Sequence, residues 1–322
     1  MKPPVRVYVA PPVLVTVTVA AAATTGVRAL TVTNPDAGTS SLASGLTLTA
    51  APTISTVTPS SRGQGAVTQN LVVAGTGFQS SAAVVFSGTG VTVNSVTVSS
   101  ATSLTVNVSI DIAAATGARS LTITNTDKGA VTLATGLTIT AAPTITTLSP
   151  TSFGRGAAAQ TLTVNGTGFV AGATVSMSAA GVTFGTVTVV SATQLTVPVT
   201  VSASATLGAT DVTIVNGDQG RRTAAGAFTI NAGPTVTSLS PSAMGAGAAV
   251  QTVTVTGTNF VNGAAVSFSG TGISVSTATF VNSTQLLVNV TVASTATVGP
   301  RDVTVTNPDK GASSLTGGFT VV

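Results

Sequence analysis

The nine residues Leu30–Gly38, LTVTNPDAG, return as LTITNTDKG at Leu121–Gly129, as VTIVNGDQG at Val212–Gly220 and as VTVTNPDKG at Val303–Gly311. Asn34, Asn125, Asn216 and Asn307 therefore recur at a spacing of 91 residues, and Asp36, Asp127, Asp218 and Asp309 keep the same step. Fixed internal periodicity decides architecture before any local reading does. Working outward, GTGF at Gly75–Phe78 recurs as GTGF at Gly166–Phe169 and as GTNF at Gly257–Phe260, while Pro59, Pro150 and Pro241 hold the same register. Three full units follow without net insertion, 51–141, 142–232 and 233–322, preceded by an incomplete one over 1–50.

Within a unit the apolar pattern has period two and is rich in Val, Thr and Ile. In the first full unit the runs are TISTVTP, QNLVVAGTGF, AAVVF, GVTVNSVTV, SLTVNVSI, RSLTITN and TGLTIT, divided by Gly, Asn, Pro and Ser. Short alternating runs with turn signals every eight to twelve residues predict an all-β chain of tandem immunoglobulin-like β-sandwiches. The joints between units, Thr140–Pro143 and Ile230–Pro234, are short and carry Pro, which predicts a semi-rigid string of beads. Asn-Pro-Asp-x-Gly between two strands reads as a tight turn: Pro presets φ, Asp bonds its own backbone and Gly takes the left-handed position. In GTGF the glycines permit close backbone approach and the Phe supplies a large core side chain.

Composition removes most chemistry. The chain has no Cys, His or Trp, and its seven acidic residues are Asp36, Asp111, Asp127, Asp211, Asp218, Asp302 and Asp309. Thiol nucleophiles, imidazole bases, Ser-His-Asp triads and Cys/His zinc sites are excluded. One Asp per turn falls short of the six to eight oxygens calcium takes. Asp211 and Asp302 stand one per unit and make no carboxylate pair; Arg28, Arg119 and Arg301 read as solvated strand starts. GRGAAAQ from Gly154 lacks the Gly-Lys-Ser/Thr of a phosphate loop. The net charge of +4 is spread over eleven basic residues of which only Arg221 and Arg222 are adjacent, so no phosphate-binding stripe forms and nucleic acid is not expected as a partner. No catalytic, cofactor-binding or metal-ligating residue is predicted, no cofactor, and no enzyme activity.

The order Pro-x-(Ile/Val)-x-x-(Val/Leu)-x-Pro, then Gly-Thr-(Gly/Asn)-Phe, then Gly-x-(Arg/Thr)-x-(Leu/Val)-Thr-(Val/Ile)-x-Asn-x-Asp-x-Gly resembles bacterial IPT/TIG-type immunoglobulin-like domains. The resemblance covers 51–322 and half a unit before it. It implies spacers, adhesive modules or assembly units of surface and secreted proteins, with no catalytic residues to carry over.

The opening stretch MKPPVRVYVAPPVLVTVTVAAAATTG has the basic start and apolar run of a secretory signal peptide. The register argues otherwise. VLVTVTVAAAATTGVRALTVTN from Val13 overlays LTVNVSIDIAAATGARSLTITN from Leu104, so the apolar run stands where a repeat strand stands. Pro11, Pro12 and repeated Thr interrupt it well before the length of a membrane span. The first unit then holds about three strands of a sandwich and leaves an apolar face open. Val5, Arg6, Val7, Tyr8 and Val9 alternate as a further strand with one apolar face, bracketed by Pro pairs, and are the candidate assembly residues.

The expected function is a non-enzymatic structural protein of the cell exterior or cell surface, a rod whose partners are other copies of itself joined head to tail. The competing reading is an adhesin or carbohydrate-binding stalk that takes surface glycans. A chain cut within a longer repeat array would show the same register.

Overall fold

The computed structural model describes residues 12–322 apart from Ala21, with nothing said of the Thr277 side chain. The candidate assembly strand Val5–Val9 lies outside the described residues. The chain is all-β, built as tandem immunoglobulin-like sandwiches.

The incomplete unit contributes a single hairpin, β1 (Gly26–Thr33) with β2 (Thr39–Leu48). In the first full unit follow β3 (Thr53–Thr58), β4 (Ser61–Gly63), β5 (Gln69–Thr76), β6 (Ala83–Phe86), β7 (Val91–Ser100), β8 (Ser103–Ile110), β9 (Gly117–Thr124) and β10 (Ala130–Thr140). One sheet runs β3-β5-β8-β7 and the other β4-β10-β9-β6, with β4 parallel to β10 and the remaining pairs antiparallel. Period-two alternation selects which face is covered. Along β8 every second residue, Leu104, Val106, Val108 and Ile110, is buried, facing Leu121 and Ile123 of β9 and Leu137 and Ile139 of β10. The seven expected runs all fall in strands. The eighth strand, β4, has too little alternation in Ser-Arg-Gly to be read and exists because β10 offers it an edge.

The second and third units repeat this plan around their own cores. One departure has a visible cause. The strand equivalent to β7 is divided in the second unit into Val182–Phe184 and Thr188–Ser191. Pro198 stands opposite the break, on the strand both pieces pair with, and has no N–H to offer the ladder. Its carbonyl accepts instead from Gly185 at 2.8 Å.

The GTGF marker explains itself in contacts. A Cβ on Gly75, Gly166 or Gly257 would lie 1.8–1.9 Å from the carbonyl oxygen of Thr53, Thr144 or Thr235, and 2.6–2.7 Å from the ring of the Phe three residues on. Those Phe rings, Phe78, Phe169 and Phe260, are buried. The third marker position has φ near +72° at Gly77 and Gly168, and +56° at Asn259. Asn tolerates the left-handed region, which is why GTNF serves in the third unit.

The overlay of Val13–Val19 on β8 holds in sequence but not in hydrogen bonding. Residues 12–20 form no strand, so the expected three strands of the incomplete unit are two among the described residues. A strand needs a ladder, and among the described residues no strand pairs with Val13–Val19 as β5 and β7 pair with β8.

Because no relaxation of a side chain relieves a clash with backbone, Gly257→Ala is expected to destabilise the third unit by at least about 1–3 kcal/mol. In urea the unfolding of that unit should move to lower denaturant while the other two units keep their midpoints.

Candidate functional site

Among the described residues no group of three or more His, Cys, Asp or Glu is placed to hold a metal. The chemistry-bearing residues that recur are instead those of the Asn-x-Asp-x-Gly turn, and the structure gives its two polar side chains opposite directions.

The Asn points into its own unit. Asn125, Asn216 and Asn307 are buried, and each Nδ2 donates to a carbonyl of the GTGF loop: Gly77 at 2.7 Å, Gly168 at 2.7 Å and Asn259 at 2.8 Å. Each Oδ1 accepts a backbone N–H just beyond that loop, from Gln79, Val170 and Val261. Two sequence markers 48 residues apart are thus one polar core cluster with its hydrogen bonds satisfied.

The Asp points out of its unit and into the preceding one. Its Oδ1 accepts the N–H of the turn glycine, at 3.0 Å for Gly129, 2.9 Å for Gly220 and 3.1 Å for Gly311, as expected of a self-capping Asp. Its Oδ2 accepts from the C-terminal end of the last strand of the unit before or the residue just past it: Thr49 Oγ1 to Asp127 at 2.5 Å, Thr140 Oγ1 to Asp218 at 2.5 Å, and Asn231 Nδ2 to Asp309 at 2.9 Å. At the two joints between full units the backbone adds more. Gly63 N–H donates to Asp218 C=O at 3.1 Å and Arg221 N–H to Gln64 C=O at 3.0 Å; Gly154 N–H donates to Asp309 C=O at 3.0 Å and Ala312 N–H to Arg155 C=O at 3.1 Å.

This joint corrects the reading of the turn glycine. The left-handed residue is the one before it: Ala37, Lys128, Gln219 and Lys310 have φ of 67–70°. The glycine is needed for contact between units. A Cβ on Gly220 or Gly311 would lie 3.1 or 2.9 Å from the Cα of Gly63 or Gly154, and a Cβ on Gly63 or Gly154 would lie 2.3 or 2.6 Å from the Cα of Gly220 or Gly311. Two backbones meet there with nothing between them.

Around this contact the side chains differ from joint to joint. Gln64 holds the linker, accepting the Ala142 N–H at 3.0 Å while donating to Ala114 C=O at 2.6 Å; Arg155 donates to Ala205 C=O at 2.6 Å. Burial lowers the pKa of the Arg62 guanidinium, and the nearby Asp218 charge acts against that shift. A shallow groove of about 300 Å³, lined by Gly65, Ile112, Arg221, Arg222 and Thr223, flanks the first joint. One of about 220 Å³, lined in part by Arg155, Pro234, Asn259 and Ala312, flanks the second.

The other singled-out charges are local fasteners. Arg28, Arg119 and Arg301 are not simply solvated: each guanidinium donates to the carbonyl four residues earlier, at 2.5–2.6 Å. Asp211 and Asp302 accept the N–H of Gly226 and Gly317 across the following strand.

Residues 234–321 match the IPT/TIG domain. No curated protein matches the chain. Among solved structures it is similar to the full extracellular region of plexin A4, at 15% identity over 78% of this chain and 22% of that one, with a TM-score of 0.35. It is also similar to invasin, a bacterial integrin-binding protein, at 16% identity over 92% of this chain and 65% of that one, with a TM-score of 0.27. A third is the SGBP-B protein of a Bacteroides ovatus mixed-linkage glucan utilization locus, in complex with a mixed-linkage heptasaccharide, at 15% identity over 84% and 70% and a TM-score of 0.22. The chain spans less than two thirds of the first two, and all three are likenesses of fold.

Two outcomes are expected of the joint. Asp218→Ala removes the side-chain bond and the turn cap, so the distance distribution between spin labels on the first and second full units should broaden while each unit stays folded. Asp127 titrates below the ordinary carboxylate range because Thr49 and, next, the Gly129 N–H and Gln79 donate to its charged form. A lowered folded pKa contributes stability above the ordinary value that is lost as pH falls through the lowered one. Thr49→Val should raise the Asp127 midpoint measured by carbonyl-detected NMR.

Proposed function

We propose, for a chain whose residues 234–321 are an IPT/TIG domain and whose two preceding units carry the same markers in the same register, a structural and non-enzymatic role. It is a rod of immunoglobulin-like beads on the cell exterior that assembles with further copies of itself through the incomplete N-terminal unit.

The observation that carries this reading is the apolar surface of that unit. Val13, Val15, Val17, Val19, Leu30, Val32 and Leu46 are 41–80% exposed. Their counterparts one period on, Leu104, Val106, Val108, Ile110, Leu121, Ile123 and Leu137, are 0–2% exposed and form the core of a complete sandwich. Fully burying a Val or Leu is worth ~1.5–3 kcal/mol, so covering seven half-exposed ones is worth on the order of 5–10 kcal/mol. Large apolar side chains left exposed where a complete unit buries them support reading this unit as an interaction site. What fits it is the complement of an immunoglobulin-like unit, and another copy of the chain supplies strands of that type.

The exterior location follows the IPT/TIG resemblance and a surface built from Ser, Thr, Asn and Gly, with charged residues at only 6%. Little net repulsion opposes lateral packing of such rods. No helix among the described residues is long and apolar enough to cross a membrane.

Electron microscopy of the full chain should show regular fibres, whereas a chain beginning at Ala51, or one carrying Leu30→Ser, Val32→Thr and Leu46→Ser, should stay as single rods. Equal assembly of all three would sink the proposal. Single rods from every form that nevertheless bind surface glycans would move the reading to adhesion.

A further inference from the structure

The joint described above has two halves, a turn that presents Asp and Gly and a socket that presents a glycine N–H and the next residue's carbonyl. Each full unit carries both halves at opposite poles. Two sockets are filled within the chain, at Gly63–Gln64 and Gly154–Arg155. The equivalent residues of the third unit are Gly245 and Ala246. There the Ala246 N–H bonds Val322 C=O and the Ala248 N–H bonds Gly245 C=O, as in the other sockets. The Gly245 N–H and the Ala246 C=O have no partner among the described residues.

A turn of matching form is available at the other pole. In Asn34–Gly38, Asp36 Oδ1 caps the Gly38 N–H at 3.0 Å and Ala37 has a φ of 67°, the geometry of the three turns that are docked. Asp36 Oδ2, the atom that reaches the preceding unit at every other turn, has no partner among the described residues.

The glycines make the complementarity specific. Gly63 and Gly154 have a reason to be glycine inside the chain, since a Cβ would strike the Cα of Gly220 or Gly311. Gly245 has none. A Cβ there would meet only Val322 C=O at 3.9 Å, and its φ lies outside the left-handed region. Gly38 likewise would meet nothing but its own Asp36. Other joint positions have drifted, as Gln64, Arg155 and Ala246 show, while the glycine of the contact is kept in all three sockets and all four turns.

We infer that the Asn34–Gly38 turn of one copy docks in the Gly245–Ala246 socket of a second copy, remaking between molecules the joint that the chain makes twice within itself. Gly245 N–H donates to Asp36 C=O, and Thr39 N–H donates to Ala246 C=O. Val322 stands where Thr140 and Asn231 give a side-chain donor, so the intermolecular joint lacks that third bond and is weaker than the internal ones. The contact joins different surfaces of two identical chains and does not close on itself, so it propagates as an open filament. This inference rests on the self-assembly proposed above and assigns its direction; the apolar face of the hairpin is a separate surface.

The test uses two variants of the full chain, each blocking one half of the joint. Gly245→Leu fills the socket and leaves the turn intact. Gly38→Leu blocks the turn and leaves the socket intact, with Asp36→Ala as a second turn variant should Gly38→Leu disturb the hairpin by circular dichroism. By light-scattering mass, each variant alone should be monomeric where the parent chain assembles. An equimolar mixture of Gly245→Leu and Gly38→Leu should give twice the monomer mass and grow no further, because it offers one usable turn and one usable socket. Variants that assemble like the parent, or a mixture that stays monomeric, would overturn the inference. Loss of assembly in the Leu30, Val32 and Leu46 variant with no loss in Gly245→Leu would leave the apolar-face reading standing and the clasp refuted. The opposite pattern would keep the clasp and refute the face.

Discussion

A carboxylate that serves two units at once sets the geometry of this chain. Asp218 fastens its own turn through Oδ1 and the unit before it through Oδ2, while the adjacent glycine lets the two backbones touch. The Oδ1 bond forms within the turn alone, as Asp36 shows, and the Oδ2 bond needs the preceding unit in place. The socket at Gly63–Gln64 and the strand end at Thr140 lie at one pole of a unit, and the turn that meets them begins at Asn216, far along the next. Inserting a residue in either tight turn would shift one partner against the other, which accounts physically for a register that passes through three units without slipping. The buried Asn behind the turn has the complementary task. By tying the turn to the GTGF loop, it transmits the position of the sandwich to the position of the Asp.

Sheet faces here manage water without charge. Hydroxyls of cross-strand neighbours bond one another, Thr53 to Thr76, Thr122 to Thr132, Thr144 to Thr167, Thr213 to Thr223 and Thr235 to Thr258, at 2.7–2.9 Å. Such pairs stabilise the ladder modestly and present a polar surface that carries no repulsion. Threonine also suits the strand itself, being β-branched. A composition poor in Lys and Glu is therefore compatible with a solvated sandwich, and it gives neighbouring molecules little electrostatic reason to stay apart.

Most of the fold was legible in the sequence, because alternation and internal repetition are local signals and the core obeys them. The parts that were not legible depend on partners distant in the chain. Ser61–Gly63 becomes a strand only because β10 lies beside it. Val13–Val19 has a strand's pattern but pairs with no strand among the described residues. The turn glycine read as a conformational necessity, whereas the left-handed position falls one residue earlier, on residues as varied as Ala37, Lys128 and Gln219. That variety was the available clue: a position that accepts Ala, Lys and Gln needs no special residue, and an adjacent glycine that never varies between units is guarding space. Its counterpart at Gly63, Gly154 and Gly245 repeats with the same step and would have pointed to the joint.

The two surfaces that bear on assembly differ in what they demand of the sequence. The socket is almost wholly backbone, so Gln64, Arg155 and Ala246 can exchange without altering the N–H and C=O that do the binding. A backbone joint of two hydrogen bonds contributes orientation and register but only about 0.5–1.5 kcal/mol per bond. The hairpin face is the reverse, with side-chain area large enough to drive association and little directionality of its own. An apolar face supplies area without fixing the orientation of what covers it. A backbone clasp sets orientation while contributing little free energy per bond. In the assembly proposed above, the face would supply the free energy and the clasp would restrict it to one geometry, which is the combination a directional fibre requires.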